Sequence, residues 1–119
     1  MNHIEVGNIG EQAAVDYLCE AGYGLLARKY RTKMGEVDII ADFGDTVVFV
    51  EVKTRRSTRC GFPAEAVTYR KQQKIMNTAM CYLNSTNQTH RFCRFDVIEI
   101  FLCDETMVTY NHIINAFGK

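Results

Sequence analysis

The stretch from Glu36 to Lys53 constrains this chain more than any other. Two runs rich in Val and Ile, Glu36–Asp42 and Thr46–Lys53, are divided by Gly44-Asp45, and Phe49 sits in the second run. Both read as strands. Glycine at the first central position of a two-residue loop favours a type II′ turn, whose twist suits an antiparallel hairpin. In that register Phe43 faces Thr46, Asp38 lies opposite Glu51, and Glu36 lies opposite Lys53. Directly opposed residues share a face. Asp38, Glu51 and Lys53 are therefore expected on one side with Ile40, Phe49 and Val47, and Val37, Ile39, Val48, Val50 and Val52 on the other. A slip of one residue would reverse every face.

Upstream, the spacing predicts a helix over 8–22. At about 100° per residue Ala13, Ala14, Tyr17, Leu18 and Ala21 share an arc, and Gly22 ends the pattern. Glu11 is the anomaly, projecting beside Val15 and Leu18 at the edge of that arc or within it. A strand at Gly24–Tyr30 and a basic turn through Arg31, Thr32 and Lys33 lead into the hairpin. A second helix is expected from Thr68 to Asn84, with Ile75, Ala79 and Leu83 as one apolar row and Met76 and Met80 as its neighbour. Strands return at Phe92–Phe101 and Met107–Ile114. The order αβββαββ predicts an α/β class, a central mixed β-sheet flanked by helices. With 119 residues, one proline and no repeat or linker, a single domain over 1–119 is expected.

Apolar residues at 47% and charged residues at 24% exclude collagen, coiled coil and disorder. No apolar run nears the ~20 residues of a membrane span, and the first residues lack a signal-peptide pattern, so a cytoplasmic protein is expected. The five cysteines (19, 60, 81, 93 and 103) are odd in number and form no CxxC, so they signal neither a disulfide framework nor a zinc site. Each is read as a thiol. The net charge of zero conceals segregation: residues 1–27 carry −4, residues 28–74 carry +5 and residues 75–119 carry −1. A basic middle matters more to a polyanion than the total does, though a solvated charged surface gives the same count.

Two carboxylates facing each other on strands this apolar repel, and desolvation raises the cost of ionising both. They either share a proton or share a cation, and oxygen ligands at close quarters suit Mg²⁺ or Mn²⁺. The carbonyl of Val52 offers a third protein oxygen. Lys53, on the same face, could orient or deprotonate a water or stabilise phosphate charge; an Asp38–Lys53 ion pair would instead be structural. Lys53-Thr54-Arg55-Arg56-Ser57-Thr58-Arg59 follows at once, suited to gripping a phosphate backbone. Arg28, Lys29, Arg31 and Lys33 precede the hairpin, and Arg70, Lys71 and Lys74 open the second helix. Asp96, after Arg94 and Phe95, is read as a buried acceptor or partner of a base rather than a ligand. No zinc finger, helix-turn-helix or RNP pattern for reading bases is present.

Asp38, twelve residues, then Glu51-Val52-Lys53 resembles the active-site motif of the PD-(D/E)XK nuclease superfamily, with Val37 in place of its proline. Across nearly the whole chain the pattern is similar to the bacterial YraN-type family. The residues that carry this are Gly10-Glu11, Gly35-Glu36-Val37-Asp38, Phe49-Val50-Glu51-Val52-Lys53-Thr54-Arg55, Lys71 and Arg94-Phe95-Asp96. That family is similar in arrangement to archaeal Holliday-junction resolvases. The resemblance implies a restriction endonuclease-like fold, Mg²⁺ bound by Asp38 and Glu51, a catalytic Lys53, and Glu11 completing the acidic site.

The expectation is a metal-dependent nuclease hydrolysing phosphodiester bonds of DNA, branched or structured. Arg31, Arg55, Arg56 and Lys71 would hold the backbone, and a homodimer would be needed if two strands are cut. The alternatives are a nucleic-acid-binding module without turnover, or a subunit of a DNA-processing assembly.

Overall fold

Asn2 starts the first helix, its side chain accepting the backbone N–H of Glu5 at 2.9 Å. In the computed structural model, which describes residues 2–56, 67–103 and 108–118, this helix, α1, runs His3–Glu20. It begins five residues earlier than the apolar spacing indicated. Asn2 with Glu5 three positions on is a capping signal readable in the sequence. The buried positions are Val6, Gly10, Glu11, Ala14, Val15 and Leu18. The arc is thus turned toward Glu11 and Val15, leaving Tyr17 half-buried and Ala21 exposed.

The remaining elements are β1 (Gly24–Thr32), β2 (Gly35–Phe43), β3 (Thr46–Arg56), α2 (Tyr69–Ser85), β4 (Phe92–Leu102) and β5 (Val108–Phe117). They give the expected αβββαββ order and a five-stranded sheet in the order β1-β2-β3-β4-β5. Every neighbouring pair is antiparallel except β3 and β4, so the sheet is mixed. Gly44, with φ of 62°, supplies the positive angle that the β2–β3 turn requires at its first central position. The register is the expected one, from Phe43 opposite Thr46 to Ile39 opposite Val50.

Each face of the sheet carries one helix. Ala14, Val15 and Leu18 of α1 pack on Ile39, Ala41, Val48, Val50, Ile98 and Ile100. On the other face Ile75, Ala79, Tyr82 and Leu83 of α2 pack on Ile40, Val47, Phe49, Phe95 and Val97. Thr78 is also buried there, whereas Met80 is 48% exposed, so the methionine row expected in the core is only half realised. The inner row of α2 is 75, 78, 79, 82 and 83 because its turn of contact runs through Tyr82, which meets Phe49 edge-on.

Cys103 is disulfide-bonded, which corrects the expectation of a thiol there. Cysteine spacing carries no information about which strand ends the fold brings within bonding distance. Cys19, Cys81 and Cys93 are free. The segment Ser57–Pro63 and the expected strand start at Met107 lie outside the described residues. No helix among the described residues is long and apolar enough to cross a membrane.

α1 approaches β3 most closely at Gly10. A methyl group there would lie 2.6 Å from Thr54 Cγ2 and closer still to its hydroxyl. Gly10→Ala should therefore lower stability by about 1–3 kcal/mol through overpacking, read as a fall in the urea midpoint. Adding Thr54→Ala should recover part of the loss, a coupling that a double-mutant cycle would measure.

Candidate active site

The β2–β3 ladder is regular from the turn as far as Ile39 opposite Val50, and its described pairing ends there although both strands continue. Just beyond, strand alternation slips. Val37 lies in the α2-side core with Ile40, whereas Ile39 and Ala41 lie in the α1-side core. A strict period of two would have placed Val37 with Ile39 and Asp38 with Ile40. Both placements are corrected by the structure: Asp38 lines a cavity on the α1 side together with Val52 and Thr54. The neighbouring strand is irregular at the same level, where Lys29 has φ of 49° between the pairs Arg28–Ile39 and Tyr30–Val37.

At this fork the Asp38 carboxylate takes over a ladder role. Its Oδ2 accepts the backbone N–H of Val52 at 2.8 Å. In a continuous ladder that N–H would bond a carbonyl of β2. In an extended strand a residue's N–H and C=O face the same neighbour, so the Val52 carbonyl is directed toward the fork as well.

Glu51 keeps its expected face. It is buried at 7% exposure, and its Oε2 is 3.4 Å from Nζ of Lys71 on α2. Lys53 continues that face, opposite Glu99 of β4. The Glu51 carboxyl is near enough to Asp38 to hydrogen-bond it when Asp38 carries its proton. Burial, then this hydrogen bond and the Glu51 charge, push the Asp38 carboxyl up to about 8, against the opposing pull of the Val52 N–H and Lys71.

Glu11 reaches the same region from α1. It is 6% exposed and held by Arg28 at 3.1 Å and Lys29 at 3.8 Å. The cavity it shares with Asp38 has a volume of about 620 Å³ and is also lined by Lys29, Glu36, Val52 and Arg56. Glu11 therefore faces Asp38 across a cavity instead of joining the Asp38–Glu51 pair. Among the described residues no three His, Cys, Asp or Glu side chains are grouped to hold a metal ion.

The bases read as a phosphate grip are partly engaged by these acids. Arg31 pairs with Glu36 at 3.2 Å, and Lys71 pairs with Glu51. Arg55 is half-buried opposite Phe101 of β4, while Arg56 is exposed at the cavity. Glu36 is a cavity carboxylate that the hairpin register had assigned only as the partner of Lys53. Lys71 carried a usable signal, since a base in a first helical turn opposes the dipole that favours acids there.

Asp96 behaves as the buried acceptor that its sequence context indicated. It is fully buried and bonded by Arg94 through two contacts of 2.8 Å, by His112 at 2.7 Å and by the Asn115 N–H at 2.9 Å. Burial alone would raise its pKa, but the hydrogen bonds from His112, Arg94 and Asn115 outweigh burial and hold it below the ordinary carboxylate value. His112 also bonds the Tyr17 hydroxyl at 3.0 Å, a role its isolated position in the sequence did not announce.

The family model described as "Uncharacterised protein family UPF0102" matches residues 10–100. The chain is 45% identical over 119 residues to a UPF0102 protein of Caldanaerobacter subterraneus subsp. tengcongensis, covering 98% of each chain. It is 44% identical over 117 residues to one from Clostridioides difficile, covering 98% of this chain and all of the relative. With one from Alkaliphilus oremlandii the identity is 50% over 115 residues, covering 95% of this chain and 97% of the other.

The raised Asp38 makes stability depend on pH with a definite sign. The folded protein keeps this proton until about pH 8, whereas the unfolded chain releases it near 3.8. Between those values the folded state binds more protons, so stability falls as pH rises and levels off above about 8. Urea midpoints should decline from pH 5 to 8, with a slope below about 1.4 kcal/mol per pH unit. Asp38→Asn should remove the decline. The lowered Asp96 loses its contribution only as pH falls into the acid range, outside this window.

Proposed function

The chain belongs to the uncharacterised protein family UPF0102, and from its acidic fork we propose that it is a metal-dependent phosphodiesterase acting on DNA, branched or otherwise structured. The observation that carries this reading is the placement of Asp38 and Glu51 where β2 leaves β3, Asp38 bonded to the Val52 N–H and Glu51 to Lys71, with burial and Glu51 pushing the Asp38 carboxyl up to about 8. An acid with a raised pKa that lines a cavity, as Asp38 does, is a mark of a functional site. The mixed sheet with one helix per face, and the acids at the end of its central hairpin, support a restriction endonuclease-like arrangement.

The donors near the fork suit the cation this reading needs. They offer only oxygen, from the carboxylates of Asp38 and Glu51 and the carbonyl of Val52, and a doubly positive charge would replace the Asp38 proton. Mg²⁺ or Mn²⁺ there supplies Lewis acidity, easing deprotonation of a water and offsetting phosphate charge. With few protein ligands, water and substrate oxygens would complete the shell, as Mg²⁺ prefers.

The chain's own residues do the rest. Lys53 lies two residues beyond Glu51 on the same face, where its ammonium orients the attacking water or steadies charge on the phosphate. Glu11 adds a carboxylate across the cavity from Asp38, and Arg28 and Lys29 fix its position. Arg56 lines the cavity, and Arg31 and Arg55 would join it in holding the phosphate backbone. Cutting two strands of a junction would call for two copies of the chain.

Purified protein should cleave at least one of duplex, single-stranded or four-way-junction DNA in Mg²⁺ or Mn²⁺. Asp38→Ala and Glu51→Ala should each reduce cleavage more than about a hundredfold while DNA binding persists. Metal-dependent binding with no cleavage of any of these would overturn the enzyme in favour of a binding module.

A further inference from the structure

Lys71 stands in the first turn of α2, and its position there is fixed by the helix cap. Its backbone N–H bonds the Thr68 hydroxyl at 3.2 Å. With Arg70 beside it and no acid in that turn, it opposes the positive end of the helix dipole. A local rule broken in this way indicates that the residue serves something beyond its own helix. Its ammonium is directed to Glu51, with Nζ 3.4 Å from Oε2. The two ends of the pair are unequal: the Glu51 side chain is 8% exposed and that of Lys71 is 49% exposed. The carboxylate is fixed in the sheet, whereas the ammonium sits on a flexible four-carbon stem that reaches water.

A divalent ion on Glu51 and an ammonium on the same carboxylate repel each other. Whichever leaves must be the one with access to solvent, and the fold gives that access to Lys71. The group to which the released ammonium would turn is an anion at the same mouth of the site. For the reading above, on which this inference rests, that anion is a backbone phosphate.

We propose that Lys71 is an exchangeable counter-ion, which neutralises Glu51 while the acid pair lacks a divalent cation and is released to a nucleic-acid phosphate when the cation binds. The nucleic-acid contact is thereby made conditional on a loaded site. In this scheme Lys71 is a phosphate-binding residue whose availability is set by the charge on Glu51.

Two readouts test this without relying on turnover. In calorimetric titration with Mn²⁺, Lys71→Gln and Lys71→Met should bind on the order of tenfold tighter than the unsubstituted protein, because a neighbouring positive charge has been removed. Lys71→Arg should retain the original affinity, and Lys74→Gln, at an exposed position on the same helix, should change it less than about twofold. Circular dichroism checks folding, and the two neutral variants guard against one failing to fold.

The second readout is the monovalent-salt dependence of binding to labelled duplex DNA, with Lys53→Met in every protein to suppress cleavage. Low Mn²⁺ should steepen the slope by about one, the increment of one added phosphate contact, and Lys71→Gln should abolish that change. Equal Mn²⁺ affinity in Lys71→Gln, equal tightening by Lys74→Gln, or a Mn²⁺-dependent slope that survives the substitution would overturn the exchange alone. Absence of Mn²⁺ binding by the unsubstituted protein would overturn both the exchange and the nuclease reading.

Discussion

Two carboxyl groups at the end of a β-ladder set the terms for everything around them. Asp38 and Glu51 lie where β2 separates from β3, Asp38 toward α1 and Glu51 toward α2, backed by a sheet whose flanking residues Ile39, Ile40, Phe49 and Val50 are fully buried. In such a setting both acids cannot remain ionised without a cation. The backbone adapts in the same place: strand alternation slips between Val37 and Ile39, and the Asp38 side chain replaces a main-chain acceptor for Val52. The fork is thus opened by the chain and capped by the Asp38 carboxylate.

The two helices serve this fork from opposite faces. Gly10 lets α1 sit close on Thr54, which brings Glu11 to the cavity opposite Asp38. α2 is started by the Thr68 cap, so that Lys71 emerges beside Glu51. Three acids around the site have bases: Glu11 has Arg28, Glu36 has Arg31, and Glu51 has Lys71. Among the described residues Asp38 has no ion-pair partner, and a proton takes the place of one. Arg28, Lys29, Arg31 and Lys71 of the basic middle are therefore matched to acids of the same region.

The fully buried Asp96 shows how an acid's partners decide the direction of its pKa. Asp96 is more deeply buried than Asp38, yet its pKa is lowered instead of raised, because Arg94, His112 and the Asn115 N–H surround it with donors. Burial penalises the charged form of both groups. Partners that offer protons stabilise one, and a partner that is itself a carboxylate destabilises the other. The contrast separates a clasp between β4 and β5 from a site suited to chemistry.

Much of this molecule was legible in its residues. Strand runs, the Gly44 turn and the resulting β2–β3 register are local properties, fixed by a period of two and by one glycine's conformational freedom, and they appear as read. So does the inward position of Glu11, which follows from helical geometry. The slip at Asp38, the exposure of Met80, the Lys71–Glu51 pair and the partners of Asp96 were decided only when separate elements met. Each depends on which helix covers which strand, and on distances between residues far apart in the chain. Periodicity says which way a side chain points from its own element; it does not say what waits there.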